Sequence, residues 1–236
     1  MAVSGSKNFE LDVADYIEEA FERCGLELRT AYDLRTARRS LNLLLAEWAN
    51  RGLNQWTIKE KTITMVAGTT SYNIDQTDST AAIDVLDAFM RQTVNSENSD
   101  IQMTRLSRSD YSAVPNKSST GTPLQFFVDK QISPTISVYP TPDANTTYTV
   151  HLNVLTRMDD VDAATNTLQL PFRFYPCLAA GLAYYISIKK SPDRTGLLKQ
   201  IYEEEFQRAL DTDEDRASFI ITPDISSYNI ANGFCI

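Results

Sequence analysis

Histidine occurs once and cysteine three times in 236 residues, which leaves little material for a metal site or a disulfide framework. Cys24, Cys177 and Cys235 stand far apart and no CxxC pair exists, so neither a zinc knuckle nor a disulfide scaffold is supported. Cys24 and Cys177 fall on apolar helix positions, where a cysteine behaves as a small hydrophobe. Glycine (8) and proline (9) are too sparse for a disordered or fibrous chain. Positive charge is also scarce: 22 Lys and Arg face 31 Asp and Glu, a net charge of −9. Binding of a phosphate backbone needs clustered Lys and Arg, so it is not the main task here, although like charge lets DNA pass nearby with little adhesion. Long apolar runs are missing as well. The longest, residues 175–188, contains Pro176 and Ser187 and falls short of the ~20 residues that a membrane span requires. Met1-Ala2-Val3-Ser4-Gly5-Ser6 lacks the apolar centre of a signal peptide, so the expectation is a soluble protein made in a cytosol, away from membranes.

Chemical motifs are equally thin. Neither GxGxxG nor GxxxxGK[ST] occurs, so no glycine-rich loop cradles a phosphate, and no GxSxG surrounds a serine. His151 sits inside an alternating strand run without a placed nucleophile, which makes it a structural polar residue. Asp159-Asp160-Val161-Asp162 resembles the start of a calcium loop, but Thr165 stands where the sixth-position glycine would be if Asp160 were first. Glu203, Glu204 and Glu205 are consecutive on a helix and fan around its axis, so they cannot flank one sugar bond. The expectation is no cofactor, no metal and no catalysis.

What the chain does have is 42% hydrophobic residues in clear zones. Mass scaling allows about 70% of the surface of a chain this long to be buried. Two helices are expected up to about residue 54. The first carries Leu11, Val13, Ile17, Phe21 and Cys24 on one face and ends at Gly25. The second carries Leu34, Ala37, Leu41, Leu44, Leu45 and Trp48, with Thr30 or Asp33 as its cap and Gly52 as its stop. From Trp56 to Arg157 short β-branched runs alternate with turns: 56–65, 71–74, 82–90, 126–128, 136–139 and 148–155, with a helical turn at 105–111. From Leu170 the chain turns helical again. A nearly all-apolar helix, central or at a subunit contact, precedes one whose stripe is Leu197, Leu198, Ile201, Tyr202, Phe206 and Leu210. Its exposed face is read as acidic, with Glu203, Glu204, Glu205, Asp211, Asp213, Glu214 and Asp215. The fold class is therefore α+β: a helical bundle formed by the N- and C-terminal helices (1–55 with 168–217), an inserted antiparallel β-sandwich domain (56–167) and an extended C-terminal tail (218–236). That tail is too apolar to be a free solvated segment, so it folds back on its own domain or lies in a groove on a partner.

The first two helices differ sharply in charge. Glu18, Glu19 and Glu22 lie on the first, and Arg35, Arg38 and Arg39 on the second. Two readings are open: solvated faces of one antiparallel hairpin, or an acidic face of one copy meeting the basic face of the next, as in a head-to-tail ring.

Residues 31–56, from Ala31-Tyr32-Asp33-Leu34-Arg35 through Trp48-Ala49-Asn50-Arg51-Gly52 to Trp56, resemble the start of phage head-to-tail adaptor proteins. Arg105-Leu106-Ser107-Arg108-Ser109-Asp110-Tyr111, Phe127-Val128-Asp129-Lys130-Gln131 and Ser137-Val138-Tyr139-Pro140-Thr141-Pro142 continue the likeness. Pro171-Phe172-Arg173-Phe174-Tyr175-Pro176 with the helix that follows, then Tyr202-Glu203-Glu204-Glu205-Phe206, complete it in the right order. The chain is similar to the adaptors of short-tailed phages (podoviruses), related to tail tubular protein A. That resemblance implies a ring of twelve copies in the virion neck, between the capsid portal and the tail nozzle, lining a channel through which the genome passes without specific binding. It implies a helical bundle with an inserted β domain, no chemistry, and synthesis in a bacterial host cytoplasm. C-terminal segments of the family reach the portal, which makes Phe219, Ile220, Ile221, Ile225, Tyr228, Ile230 and Phe234 candidate portal contacts. Glu203, Glu204, Asp211 and Glu214 are candidates for a channel lining that repels the DNA backbone, which carries one charge per ~1.7 Å of axis. Two rivals remain: a β-sandwich binding module for carbohydrate or protein, and a carboxylate hydrolase.

Overall fold

The computed structural model describes residues 9–51, 55–76, 80–94 and 97–213. Helix α1, Val13–Arg23, opens on a reciprocal cap in which the Asp12 and Asp15 carboxylates each accept the other residue's backbone N–H. It stops at Gly25, whose φ of 70° is the left-handed conformation expected one residue past a helix end. Helix α2, Ala31–Arg51, begins at Thr30, whose hydroxyl accepts the Asp33 N–H at 3.2 Å. Of the two expected caps Thr30 does the capping, and Asp33 instead pairs with Lys190 from the far end of the sequence.

Helix α4, Tyr175–Lys190, carries Pro176 in its first turn, and helix α5, Thr195–Asp213, runs back along it. The apolar character of α4 has a direct explanation, because α1, α2 and α5 all pack against it. One hydrophobic core takes Val13, Ile17 and Phe21 from α1, Leu41, Leu44 and Trp48 from α2, Leu178, Leu182 and Ile186 from α4, and Tyr202 and Phe206 from α5. Cys24 and Cys177 are buried in it as small apolar groups, and burial pushes the Cys177 thiol well above its usual pKa. Gly181 marks the closest approach. A Cβ there would stand 2.8 Å from the Tyr202 ring and 2.9 Å from a Leu44 methyl.

A polar network ties α2 to α5 beside this contact. The Trp48 indole N–H donates to the Tyr202 hydroxyl at 2.9 Å, and the Tyr202 and Tyr185 hydroxyls donate to the Glu47 carboxylate at 3.1 and 3.2 Å. Arg51 donates to Glu47 at 2.7 Å and forks onto Glu203 at 2.6 and 2.8 Å, its guanidinium lying over the Tyr202 and Phe206 rings.

Between the helical stretches lie two four-stranded sheets. The first contains β1 (Ile58–Thr64), β3 (Ala82–Val94), β4 (Glu97–Gln102) and β10 (Thr147–Thr156), antiparallel throughout in the order β1-β10-β3-β4. The second contains β2 (Ser71–Asn73), β5 (Thr104–Arg105), β7 (Gln125–Asp129) and β8 (Thr135–Tyr139) in the order β2-β8-β7-β5. Helix α3 (Arg108–Ala113) and a two-residue pair, β6 (Thr120–Gly121) with β9 (Thr141–Pro142), complete the region. Alternate residues Tyr148, Val150, Leu152 and Val154 of β10 point inward and share a second core with Phe126, Val128, Ile136 and Val138. The molecule is thus mixed α+β, with two sheets face to face and a separate helical core.

Several expectations need correction. Trp56 lies in a 3-10 turn, Gln55–Thr57, and its ring packs on Phe174 at 4.3 Å in the helical core instead of starting a strand. The sheets are not wholly antiparallel: β5 and β7 run parallel, as do β6 and β9. The chain passes from β4 through buried Met103 into β5 without reversing, so β5 joins the other sheet in β7's direction. Strand β4 is polar except at Ile101, which packs on the sheet core, and so gives no alternation to read. Arg105 is a strand residue, and the helical turn starts later, at Arg108. Leu197 and Ile201 do not belong to the buried stripe of α5; they are 63% and 37% exposed. Asp213 is buried beside Arg173 and not on an acidic outer face.

Two outcomes follow for stability. Gly181→Val forces a side chain into the α4 contact and lowers the unfolding free energy by about 2 kcal/mol, read as a lower urea midpoint with little change in slope. The Arg51 hydrogen bonds hold the Glu203 carboxyl below its ordinary value of 4.5. The pair's contribution is therefore complete above pH 4.5 and is lost as pH falls through the lower folded-state value. Glu203→Gln removes that part of the acid limb in thermal melts taken between pH 5 and pH 3; because Glu203 is partly exposed, the change is at most about 1 kcal/mol.

Candidate functional site

The helical core settles which charged groups are free to meet a partner. On α1, Glu18 and Glu22 are exposed and have no ionic partner among the described residues, while Glu19 is held by Arg23 at 2.7 Å. On α2, Arg35 and Arg39 are exposed and likewise unpaired among the described residues, and Arg38 donates to the Asp162 carbonyl. No ion pair joins these two sets within the described chain, even though α1 and α2 touch; α1 rests mainly on α4. The six residues therefore form an acidic face and a basic face that leave most of each other's charge unmatched.

Helix α5 divides its acids by side. Glu203 is half-buried and engaged by Arg51, and Asp213 accepts from Arg173 and from the Gln55 N–H, at 3.0 Å in the latter contact. Glu204 and Asp211 face outward, where Gln200 donates to Glu204 at 2.9 Å and Gln207 to Asp211 at 2.7 Å. Arg208 lies among them at 2.7 Å from Glu205 and 4.0 Å from Glu204. Glu214 and the candidate portal contacts Phe219, Ile220, Ile221, Ile225, Tyr228, Ile230 and Phe234 lie outside the described residues.

Sequence periodicity merged the exposed Leu197 and Ile201 with the buried Leu198 and Tyr202, because both pairs sit four residues apart. Only the position of α4 distinguishes them. Leu197, Ile201, Ala180, Arg23 and Arg194 line an apolar groove between α1 and α5. A second surface was also invisible in the sequence: Phe9 (63% exposed) and Phe172 (72% exposed) both lie against Tyr175, at ring separations of 6.5 and 5.6 Å.

The residues singled out for chemistry are tied into structure. His151 stacks on Phe89 at 4.7 Å, and its Nδ1 lies 2.6 Å from a Glu60 carboxylate oxygen. In the aspartate run, Asp160 bonds Arg157, while Val161 is buried in the helical core with its N–H on Asn42. Among the described residues no group of three or more His, Cys, Asp and Glu is placed to hold a metal ion, and no helix is long and apolar enough to cross a membrane.

No curated protein matches the chain. A family match does: residues 11–225 correspond to the SU10 adaptor protein family, a span that takes in every helix and strand among the described residues. With nearly its whole length matched, and in agreement with the likeness carried by residues 31–56 and 171–206, the chain belongs to the SU10 adaptor protein family of phage head-to-tail adaptors.

Proposed function

We propose that this chain is a structural, non-enzymatic component of the phage virion neck. In this reading a ring of twelve copies binds beneath the portal, receives the tail nozzle on its other side and encloses the path of the genome. The observation that carries it is the unmatched charge on two neighbouring helices. Each copy has an acidic α1 face (Glu18, Glu19, Glu22) and a basic α2 face (Arg35, Arg38, Arg39) with no ion pair between them among the described residues; Glu19 is held by Arg23 and Arg38 by the Asp162 carbonyl, which leaves Glu18, Glu22, Arg35 and Arg39 as the unmatched charges. A head-to-tail contact between copies joins unlike faces, and repeated by rotation it closes a ring.

Two separate cores favour a division into a helical unit (1–55 with 168–217), a β insert (56–167) and a tail (218–236), with Trp56, Met158 and Val161 of the insert lending their side chains to the helical core. The helical unit carries the ring contacts. The tail, through Phe219, Ile220, Ile221, Ile225, Tyr228, Ile230 and Phe234, meets the portal. The channel lining is drawn from Glu203, Glu204, Asp211 and Glu214, of which Glu204 and Asp211 face outward on α5, Glu203 is half-buried on Arg51 and Glu214 lies outside the described residues; negative charge there denies DNA the counterion-release term that would hold it.

Charge exchange tests the ring contact. Arg35→Glu with Arg39→Glu leaves the monomer folded, since both side chains are exposed, but abolishes assembly on portal-bearing particles scored by electron microscopy. Adding Glu18→Arg and Glu22→Arg in the same chain restores opposite faces and recovers at least part of the assembly. Normal assembly by the doubly reversed basic face contradicts the proposal.

A further inference from the structure

Helix α2 turns a mixed charged and apolar ridge away from the core. Tyr32, Arg35, Arg39 and Leu43 are exposed at spacings of three and four residues, opposite the buried Ala37, Leu41, Leu44 and Trp48. At about 3.6 residues per turn, Tyr32 and Leu43 fall on one edge of this ridge and Arg35 on the other, with Arg39 between them. Tyr32 is 71% exposed and Leu43 54%, so two large apolar side chains stand in solvent beside two arginines that have no ionic partner among the described residues.

The groove between α1 and α5 has the converse layout. Leu197 and Ile201 are exposed on its α5 wall, with the buried Leu198 and Ala180 beneath them. Arg23 lines the α1 wall and is neutralised by Glu19; one row further round α1 stand the exposed Glu18 and Glu22. Arg194, one turn before Leu197, donates to the Arg23 carbonyl at 3.3 Å and has no carboxylate partner among the described residues. Its guanidinium offers a face for an aromatic ring.

An apolar strip thus runs beside an acidic row at the groove, as an apolar edge runs beside a basic edge on the ridge. The spacings agree as well: Glu18 with Glu22 and Arg35 with Arg39 each lie four residues, about 6 Å, apart along their helices. The ridge is on the outer side of α2 and cannot enter the groove of its own chain, so the occupant that these charges select is a second copy. We infer that the α2 ridge of one copy seats in the α1–α5 groove of the next, Tyr32 and Leu43 against Leu197 and Ile201, Arg35 and Arg39 beside Glu18 and Glu22. Helix α5 then supplies the apolar half of an interface whose charged half is on α1. Ridge and groove are different surfaces, so each joined copy keeps one of them free and the contact repeats. The inference rests on the head-to-tail contact proposed above and names the side chains that anchor it.

Disulfide trapping tests the seat. Leu43→Cys is combined with Leu197→Cys or with Ile201→Cys in one full-length chain. Cys235→Ser removes the remaining cysteine outside the buried pair Cys24 and Cys177. The three substituted side chains are exposed, so the core keeps its packing. Oxidation is carried out on portal-bearing particles and on the concentrated isolated protein. The expected result is a ladder of linked copies from at least one pair, tenfold or more above that from Leu43→Cys with Val66→Cys, a 61% exposed position on the β insert. Chains with one exposed cysteine go no further than dimers. Absence of the ladder from both preparations overturns the inference, as does a ladder of equal abundance from the Val66 control. Rings seen by electron microscopy on the particles, without a ladder there, refute the seat and leave the ring reading standing. A ladder from the isolated protein with no ring on the particles does the reverse.

Discussion

Burial of helix α4 is the constraint on which the rest of the molecule depends. It has almost no polar face, and that is stable only because α1 and α2 from the start of the chain and α5 from its end enclose it. The chain must therefore return to its beginning after 100 or so residues of β structure, and the sheets are held as a loop between two halves of one helical core. Gly181 and the Glu47–Arg51–Glu203 network set how closely the halves meet. With the hydrophobic faces spent on α4, the charged sides of α1 and α2 are turned outward, and among the acids of α5 Glu203 and Asp213 are held inward, Glu204 and Asp211 face outward and Glu205 is paired with Arg208. In the proposed role, those outward charges are the surface on which copies recognise one another.

Much of the helical architecture was legible because caps and stripes are local. The Asp12–Asp15 cap, the Gly25 stop, and the stripe through Leu41, Leu44 and Trp48 each depend on residues within a few positions. The inward-facing residues of β10 were legible for the same reason, since alternation needs only one buried face. What escaped reading depends on distant partners. Leu197 and Ile201 look like core until α4's position is known, and Asp213 looks like surface until Arg173 is placed beside it. Strand β4 carries no apolar alternation because all its side chains but Ile101 face solvent, and beyond the backbone ladder it is tied to β3 by Arg91 on Asp100 at 2.7 Å and Thr93 on Asn98 at 2.9 Å. The parallel β5–β7 pair follows from a crossing between sheets that no local pattern announces.

The candidate site was legible to a lesser degree. Sequence marks which charges exist but not which are already matched, and the proposed ring contact rests on that distinction. Glu203 is spoken for by Arg51 and Glu19 by Arg23, whereas Glu18, Glu22, Arg35 and Arg39 remain without partners among the described residues. The aromatic patch around Tyr175 combines Phe9 and Phe172, 163 positions apart, and could not be assembled on paper. Membership of the SU10 adaptor protein family gives these surfaces a context, a virion component that joins larger parts.

A three-dimensional reconstruction of the virion neck tests the central claim most directly. The account predicts a closed ring in which Glu18 and Glu22 of each copy face Arg35 and Arg39 of the next, around an open axial passage. Density showing one isolated copy, or a ring whose contacts leave both charged faces in solvent, would contradict it.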